Sequence, residues 1–399
     1  MKSLLSLAVP LLLNIFQYLS INDKKNVILC CSYLRRILSH PLHWSGAVIK
    51  KNILKSEINL PRLLSISRYS LVRELDLSDL KYQFIDKTVA NQFLKYLQNN
   101  TSLRILNFNN NNLSKFPAFP LSSCLVRCER LSLSSTKLQT DQLNSILGKC
   151  CRGKYVLSAD LSFNDFTFVN PSLLTDSILT LRELNLSYTN LTAALAKKLT
   201  LAVNNSSIRH LDISGNDLTE CNFDNISLNQ SLTSLNLSQV KLNPETLDRV
   251  FTNLTLVHNL EELFLDGTAL GHVDPILLSD AIVRVSKVDV NFCWLYQQHI
   301  EFIFDSISEK TKVKYLNLSG NHMENVNIDL LLDALNHLDV VKIEWANLSE
   351  DQFELIIRES TDLKKKKIVL NHFELIDNNV ELHRLAKCNQ NIMLNLNKD

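Results

Sequence analysis

Glycine is scarce in this sequence, with 7 residues among 399, and proline is nearly as rare, with 8. Loops that cradle a phosphate group are rich in glycine, so this scarcity leaves little room for a nucleotide-binding loop. No apolar run reaches the roughly eighteen residues that a bilayer-spanning helix needs, so we expect no membrane partner. The formal net charge of +1 provides no general attraction for nucleic acid, so we expect no nucleic-acid partner either.

Motifs for catalysis and metal binding are also missing. The chain contains no paired-histidine zinc motif, no cysteine–histidine cluster and no serine nucleophile elbow. His40 and His43 are the only near pair among ten histidines, and their position beside Pro41 favours an ordinary surface over a metal site. We therefore predict that the protein is not an enzyme and that it has no catalytic residue, metal or cofactor.

The nine cysteines are odd in number and scattered, without the clusters that disulfide-capped extracellular repeat proteins need at their ends. This usage is typical of a reducing compartment, so we expect a cytoplasmic or nuclear protein. Lys2 and the largely apolar residues 4–13 are similar to a short signal peptide, but no small-x-small cleavage site follows. A secreted recognition protein therefore remains the less favoured alternative.

One apolar pattern recurs along most of the chain. An apolar residue at a start position is followed by others three, five and ten residues later, as in Leu181, Leu184, Leu186 and Leu191. This spacing predicts a strand followed by a turn. The clear starts are Val72, Leu103, Cys128, Val156, Leu181, Ile208, Leu232, Leu260, Val285, Val313 and Leu338. A further repeat begins near Leu363 or Lys365, and a partial one ends at Leu394 and Leu396.

The repeats alternate between a short and a long form. Eight residues after the start, the short repeats carry Asn111, Asn164, Asn216 and Asn321, with Thr268 as the exception. An asparagine there is expected to hydrogen-bond neighbouring backbone groups where the strand turns out of the sheet. The long repeats carry the better helix signals, such as the N-cap Asn243 before Pro244 and the capping box from Ser349 to Gln352.

A strand and a helix cannot bury their apolar faces alone, so such repeats must stack. The pattern resembles the ribonuclease-inhibitor-like class of leucine-rich repeats. It implies an α/β fold for residues 72–399, a curved solenoid of about 12 to 13 repeats with parallel strands on the concave face and helices on the convex face. The run Lys364–Lys367 near its end is interpreted as charge that blunts a sheet edge, rather than as a nucleic-acid patch.

Residues 1–50 lack the repeat pattern and show apolar residues at helical spacing instead. One predicted helix face carries Leu11, Leu12, Ile15, Phe16 and Leu19. Asp23 is expected to cap a second helix. That helix bears Val27, Cys30, Cys31 and Leu34. We predict a small all-α module here, followed by a linker or N-terminal cap at residues 51–71.

This module resembles an F-box, whose family pattern includes isoleucine-phenylalanine, leucine, aspartate, valine-cysteine and a closing leucine-tryptophan. The matching positions, without gaps, are Leu7, Leu11, Leu12, Ile15, Phe16, Leu19, Asp23, Cys30, Cys31, Pro41 and Trp44. The sequence departs from the pattern at Ala8, Pro10, Lys24 and Leu34, and a proline at position 10 is tolerable only in a first helical turn. A plain helical cap of the repeats remains the alternative.

F-box proteins with leucine-rich repeats act as substrate receptors of Skp-cullin-F-box ubiquitin ligases. The resemblance implies that the helices dock on the Skp adaptor, and through it on a cullin, while the repeats hold a target protein. The adaptor-binding residues would be Leu11, Leu12, Ile15, Phe16, Leu19, Asp23, Val27, Cys31 and Trp44. Two alternatives stay open: a binding scaffold or regulator without a ligase, of the inhibitor or GTPase-activating type, and a secreted recognition protein.

Residues two, four, six and seven places after each start are expected to point away from the core. Acids outnumber bases in these columns although the whole chain is nearly neutral, and exposed aromatics often anchor interfaces. We therefore predict an unidentified protein target with basic residues, bound by Asp160, Glu183, Tyr188, Asp212, Glu262, Asp266, Asp289 and Trp345. Phe163 and Phe292 either join this surface or pack into the turns between repeats.

Overall fold

The computed structural model describes residues 7–38, 48–49, 72–80, 87–153, 155–219, 221, 229–362, 367–370, 389 and 391–394. Trp44 and the predicted linker at residues 51–71 lie outside them. The chain divides into two compact units, Met1–Leu184 and Asn185–Asp399. None of the described helices is long and apolar enough to cross a membrane.

The first unit contains a run of short strands that pair in parallel. They are β1 (Val48–Ile49), β2 (Glu74–Asp76), β3 (Ile105–Asn107), β4 (Arg130–Ser132) and β5 (Ser158–Asp160), each paired with the next. From β2 to β5 the middle residue is buried and its neighbours are more exposed. Strands β2 to β5 begin two residues after the predicted starts, which confirms the register read from the repeat. The prediction that residues 1–50 are all helical is wrong at its end, because β1 pairs with β2.

The first unit begins with the helices Val9–Gln17, Ile21–Cys30 and Ser32–Leu38, so Leu34 lies on a third helix and not on the predicted second one. From β2 onward the strands are connected by the helices Lys87–Asn99, Ala118–Leu125, Thr140–Cys150 and Pro171–Ile178. Leucines on the strands and on the helices are buried together, as Leu131, Leu133, Leu143 and Leu147 show. The strand β6 (Glu183–Asn185) follows, at the point in the sequence where the first unit gives way to the second.

The second unit repeats the same plan. Its strands are β7 (His210–Asp212), β8 (Ser234–Asn236), β9 (Glu262–Phe264), β10 (Lys287–Asp289), β11 (Tyr315–Asn317), β12 (Val340–Lys342), β13 (Lys367–Leu370) and β14 (Ile392–Leu394), each parallel to the next. The interpretation of the lysine run as a blunted edge is wrong for Lys367, because β13 has a strand on both sides.

The helices of the second unit alternate in length as predicted. Short repeats contain Pro275–Ile282 and Ile328–Leu335, with 8 residues each, and long repeats contain Pro244–Leu254, Gln297–Ser306 and Glu350–Glu359, with 10 or 11. The helix Ala193–Asn204 and the 3-10 turn Ser360–Asp362 complete the described set. Asn243 caps its helix and Ser349 forms its capping box with Gln352, which confirms both helix signals. Parallel strands joined by helices at this period form a leucine-rich-repeat fold.

In four repeats a buried asparagine in the turn after the strand links its own repeat to the preceding one by hydrogen bonds. Asn111, Asn164, Asn216 and Asn321 are buried, and the Nδ2 group of each donates to three backbone carbonyls. Thr268, at the same position, donates only to the Leu237 carbonyl oxygen, at 2.8 Å. The predicted role of these asparagines is confirmed.

Candidate functional site

The first helix, Val9–Gln17, has two different apolar sides. Leu12 and Phe16 are buried, whereas Leu11 and Ile15 are 53% and 41% exposed and Tyr18, at the end of the helix, is 85% exposed. The prediction that Leu11, Leu12, Ile15 and Phe16 share one face is therefore wrong. Residues three or four apart lie on the same side of a helix. Leu12 and Phe16 therefore form an inner stripe, and Leu11, Ile15 and Tyr18 form an outer one. Pro10 lies in the first helical turn, as its chemistry requires.

The second helix, Ile21–Cys30, is capped by Ser20 and not by Asp23, which corrects the predicted cap. The Ser20 hydroxyl accepts a hydrogen bond from the Asp23 amide at 3.1 Å and donates one to the Asp23 carboxylate at 2.6 Å. Asp23 is therefore the third residue of this helix, where an acid favours the helix dipole. The other predicted adaptor residues, Leu19, Val27 and Cys31, are half-buried.

Asp160, Asp212 and Asp289 hold the turns that follow their strands. Their carboxylates accept hydrogen bonds from the backbone amides two residues on, at 3.2, 3.0 and 3.2 Å. Asn236 makes the same contact with Ser238, at 2.9 Å. An amide side chain makes this contact as well as a carboxylate does. The residue type four places after each start therefore reflects the geometry of the turn and not only the charge of a bound ligand.

The predicted target residues are divided between the two units. Asp160 and Glu183 belong to the first unit, and Tyr188, Asp212, Glu262, Asp266, Asp289 and Trp345 belong to the second. The charge of Glu262 is balanced by Lys287, whose ammonium lies 3.2 Å from the carboxylate and 4.9 Å from the centre of the Phe264 ring. This strand face is therefore less acidic than its residue count indicates.

Large aromatic residues occupy left-handed backbone positions in the turns. Phe163, Tyr188, Phe292 and Trp345 stand seven places after a start and Trp294 nine, all with φ between 49° and 59°. A bulky side chain rarely adopts this conformation, which costs roughly 1–2 kcal/mol. Each of these side chains is nevertheless at least 40% exposed. Phe163 and Phe292 therefore belong to the surface and not to the core of the turns.

Two of these rings rest on glycine in the next repeat. An ideal Cβ on Gly215 would lie 2.7 Å from Cγ of Tyr188, and one on Gly320 would lie 2.7 Å from Cγ of Phe292, nearer than real Cβ atoms approach. The Tyr188 hydroxyl also donates to the Gln239 side chain at 2.6 Å, and Gln239 donates to the Asp266 carboxylate at 3.4 Å. The rings are thus held in place in the free protein.

A cavity of about 1160 Å³ opens beside these turns in the second unit, and we name it the rim pocket. Its lining includes Gln239, Asp266, Asn291, Phe292, Trp294 and His322. The Oδ1 atom of Asn291 is buried there and has no hydrogen-bond partner among the described residues. The sequence analysis named Asp266 and Phe292 but missed Gln239, Asn291 and His322, because no single column of the repeat contains them all.

The Asp266 carboxyl group is partly withdrawn from water. Burial raises its pKa above the ordinary value of 3.8, the hydrogen bond from Gln239 opposes this shift, and the neighbouring charge of Asp289 adds to it. The folded state therefore binds the proton more tightly than the unfolded chain does. An ionised carboxylate in this position destabilises the fold at neutral pH.

Removing the Asp266 charge should consequently stabilise the protein. We expect Asp266→Asn to raise the midpoint of thermal unfolding at pH 7 by about 1 °C or more, and the gain to shrink as the pH falls through the raised pKa toward 3.8. Circular dichroism melts at several pH values would measure it, with the exposed Glu309→Gln as a neutral control. A lower midpoint at pH 7 would contradict the pKa direction.

No protein-family model matches the chain. A segment of 91 residues is 31% identical to the Mus musculus protein "NACHT, LRR and PYD domains-containing protein 4B"; it covers 22% of this chain and 10% of the mouse protein. Among solved structures, the leucine-rich repeat-containing protein LegL7 from Legionella pneumophila is 18% identical, with a TM-score of 0.42 over 83% of this chain and 93% of its own. The mouse RP105/MD-1 complex is 14% identical, with a TM-score of 0.41 over 90% of this chain and 65% of that chain.

Proposed function

We propose that this chain is a recognition subunit with two separate binding surfaces and no chemistry of its own. The N-terminal helices bind an adaptor protein, and the repeats hold a target. One observation supports the first surface above all: Leu11, Ile15 and Tyr18 form an exposed apolar stripe, while Leu12 and Phe16 already supply the inner contacts of the same helix. A helix that served only as a cap of the repeats would have no use for a second apolar side.

The adaptor we propose is the Skp protein of a cullin-based ubiquitin ligase, in keeping with the F-box-like spacing of the first fifty residues. The chain would bring a target close to a ubiquitin carrier supplied by other subunits. Holding a lysine of the target near that carrier raises its effective concentration, so proximity is the mechanism. In this role the protein needs neither a metal nor a cofactor.

The outer stripe can be tested without damage to the inner one. We expect the full chain to retain the Skp adaptor on an affinity column, and Leu11→Asp with Ile15→Asp to reduce the retained adaptor at least about tenfold, because a charge in a desolvated apolar interface is costly. Leu201→Asp is the matched control, since Leu201 also lies on a helix and is 51% exposed. Melting curves would establish that all variants stay folded.

Two results would overturn the ligase proposal. One is failure of the folded wild-type chain to retain the adaptor, and the other is equal retention by the double variant. Either would leave the repeats as a binding scaffold or regulator that works without a ligase. Leu12→Asp is unsuitable for this test, because the buried Leu12 side chain supports the fold.

A further inference from the structure

The rim pocket has features that the fold itself does not require. Six places after the start, most repeats carry serine, as Ser187, Ser214, Ser238 and Ser319 do in the second unit. The two adjacent repeats at the pocket carry Asp266 and Asn291 instead. Asn109 and Glu344 also replace serine at this position, and Oδ1 of Asn109 accepts a hydrogen bond from the Ser134 amide at 2.9 Å. Among the described residues neither the Asp266 carboxylate nor Oδ1 of Asn291 makes such a backbone contact, so these two side chains do not serve the turn.

Two side chains of the pocket, Asp266 and Asn291, carry acceptor atoms with few or no donors. The Asp266 carboxylate receives a single long hydrogen bond, from Gln239 at 3.4 Å, and Oδ1 of Asn291 receives none from the described residues. Lys241 also lines the pocket, and its ammonium group lies 3.8 Å from the Asp217 carboxylate. Oδ1 of Asn291 is closed off from solvent, so the Asp266 carboxylate is the acceptor that a ligand with several donors can reach.

Aromatic faces complete the site. Phe292 and Trp294 stand beside these acceptors, both in the left-handed conformation and both more than half exposed. The Phe292 ring lies against Gly320, which has no side chain to displace it. The ring therefore occupies this position before any ligand binds. Rigid aromatic faces next to a carboxylate attract cations and planar groups.

We propose that the rim pocket binds an arginine side chain of the target protein. Arginine carries five donors and no acceptor in a planar group, so it can donate to the Asp266 carboxylate while it stacks on Trp294 or Phe292. Lysine has a compact charge that does not stack in this way, and an acidic or apolar side chain would offer the carboxylate no donor. The proposal rests on target binding by the repeats and deepens it.

The full chain contains three tryptophans, so labelling with 5-fluorotryptophan gives a simple fluorine NMR spectrum in which Trp294→Phe assigns one signal. The probes are N-acetyl-arginine methylamide, its lysine analogue and its citrulline analogue, which keeps the shape of arginine but lacks the charge. We expect the arginine compound to shift the Trp294 signal with saturation in the millimolar range. The lysine compound should bind more weakly, and citrulline at least about tenfold more weakly.

Two variants test the acceptors. Asp266→Asn removes the charge and keeps the shape, and Asn291→Ser installs the residue that other repeats use at this position, so both should fold. Asp266→Asn should weaken arginine binding by about tenfold or more, whereas Asn291→Ser removes no accessible acceptor and should leave it within about twofold. The Trp345 signal serves as an internal control for non-specific binding and should stay in place.

Equal shifts with arginine and citrulline, or no Trp294 shift with arginine, would overturn the proposed pocket. A stronger effect of lysine would overturn the choice of arginine. These outcomes leave adaptor retention by the N-terminal helices untouched, so failure of the pocket is distinguishable from failure of the proposed function. Conversely, loss of adaptor retention by the wild-type chain would not alter the NMR result.

Discussion

Replacing Asn216 by leucine is expected to lower the free energy of unfolding by about 3–5 kcal/mol, because the change leaves several buried backbone groups without partners. The Asn216 side chain is buried and joins its own turn to the preceding repeat. Its Nδ2 group donates to the carbonyl oxygens of Leu186, Ile213 and Ser214, at 2.8, 3.0 and 3.1 Å. Its Oδ1 atom accepts from the amides of Thr189 and Leu191, at 3.1 and 3.2 Å.

Leucine has the same branched shape and is somewhat larger, so it leaves no cavity while it removes the hydrogen bonds. Each buried group left unpaired costs roughly 1–3 kcal/mol, and partial relaxation keeps the total below the simple sum. Denaturant titration followed by circular dichroism would measure the change. The exposed Asn91, within the helix Lys87–Asn99, provides the control: Asn91→Ala should alter stability by no more than about 0.5 kcal/mol. A loss below about 1 kcal/mol for Asn216→Leu would show that the carbonyls find other donors.

The asparagine positions could be predicted because the repeat fixes them in sequence. A strand with side chains alternating between two faces must place every start-plus-three residue inside, so apolar spacing alone located the strands and their register. Helix length followed from local caps, such as Ser349 with Gln352. These features depend on residues close together in the chain, where one sequence contains all the necessary information.

Where several apolar residues are adjacent in the sequence, the sequence alone could not predict which of them is buried and which is exposed. Leu11 and Leu12 are neighbours of the same type, and only the packing of the helix against the rest of the chain makes one exposed and the other buried. The role of Asp212 was equally hidden, because a turn-forming carboxylate and a ligand-binding one look alike in sequence. The pairing of Glu262 with Lys287 did leave a signal, since both stand two places after their starts in adjacent repeats.

The rim pocket was only partly visible in the sequence because it combines residues from several columns of the repeat. Its clearest signal is an alternation seven places after the starts, where Tyr188 is followed by Gly215 and Phe292 by Gly320. Glycine alone would indicate a left-handed turn. When the preceding repeat has an aromatic residue at the equivalent position, the glycine is also needed because a side chain there would overlap the ring.

Gly320→Ala is expected to lower the free energy of unfolding by about 2–3 kcal/mol for two separable reasons. The backbone of Gly320 has φ of +68°, which costs alanine roughly 1–2 kcal/mol. The new Cβ would also lie 2.7 Å from Cγ of Phe292 and nearer still to two other ring atoms, so the ring has to move. Because rotation about χ2 leaves Cγ in place, the Phe292 side chain has to turn about χ1, or the backbone has to shift, to relieve the overlap.

A double-mutant cycle separates the two contributions. In a Phe292→Ala background the ring is absent, so Gly320→Ala should cost only the backbone part, about 1–2 kcal/mol. Gly148→Ala is the matched control, because Gly148 lies within the helix Thr140–Cys150 and its Cβ would meet Leu173 at an ordinary 3.4 Å. Alanine favours a helix over glycine by about 1 kcal/mol, so this control should be neutral or stabilising. If Gly320→Ala cost the same with and without Phe292, the ring would not rest on Gly320, and the fixed aromatic wall on which arginine binding depends would be absent.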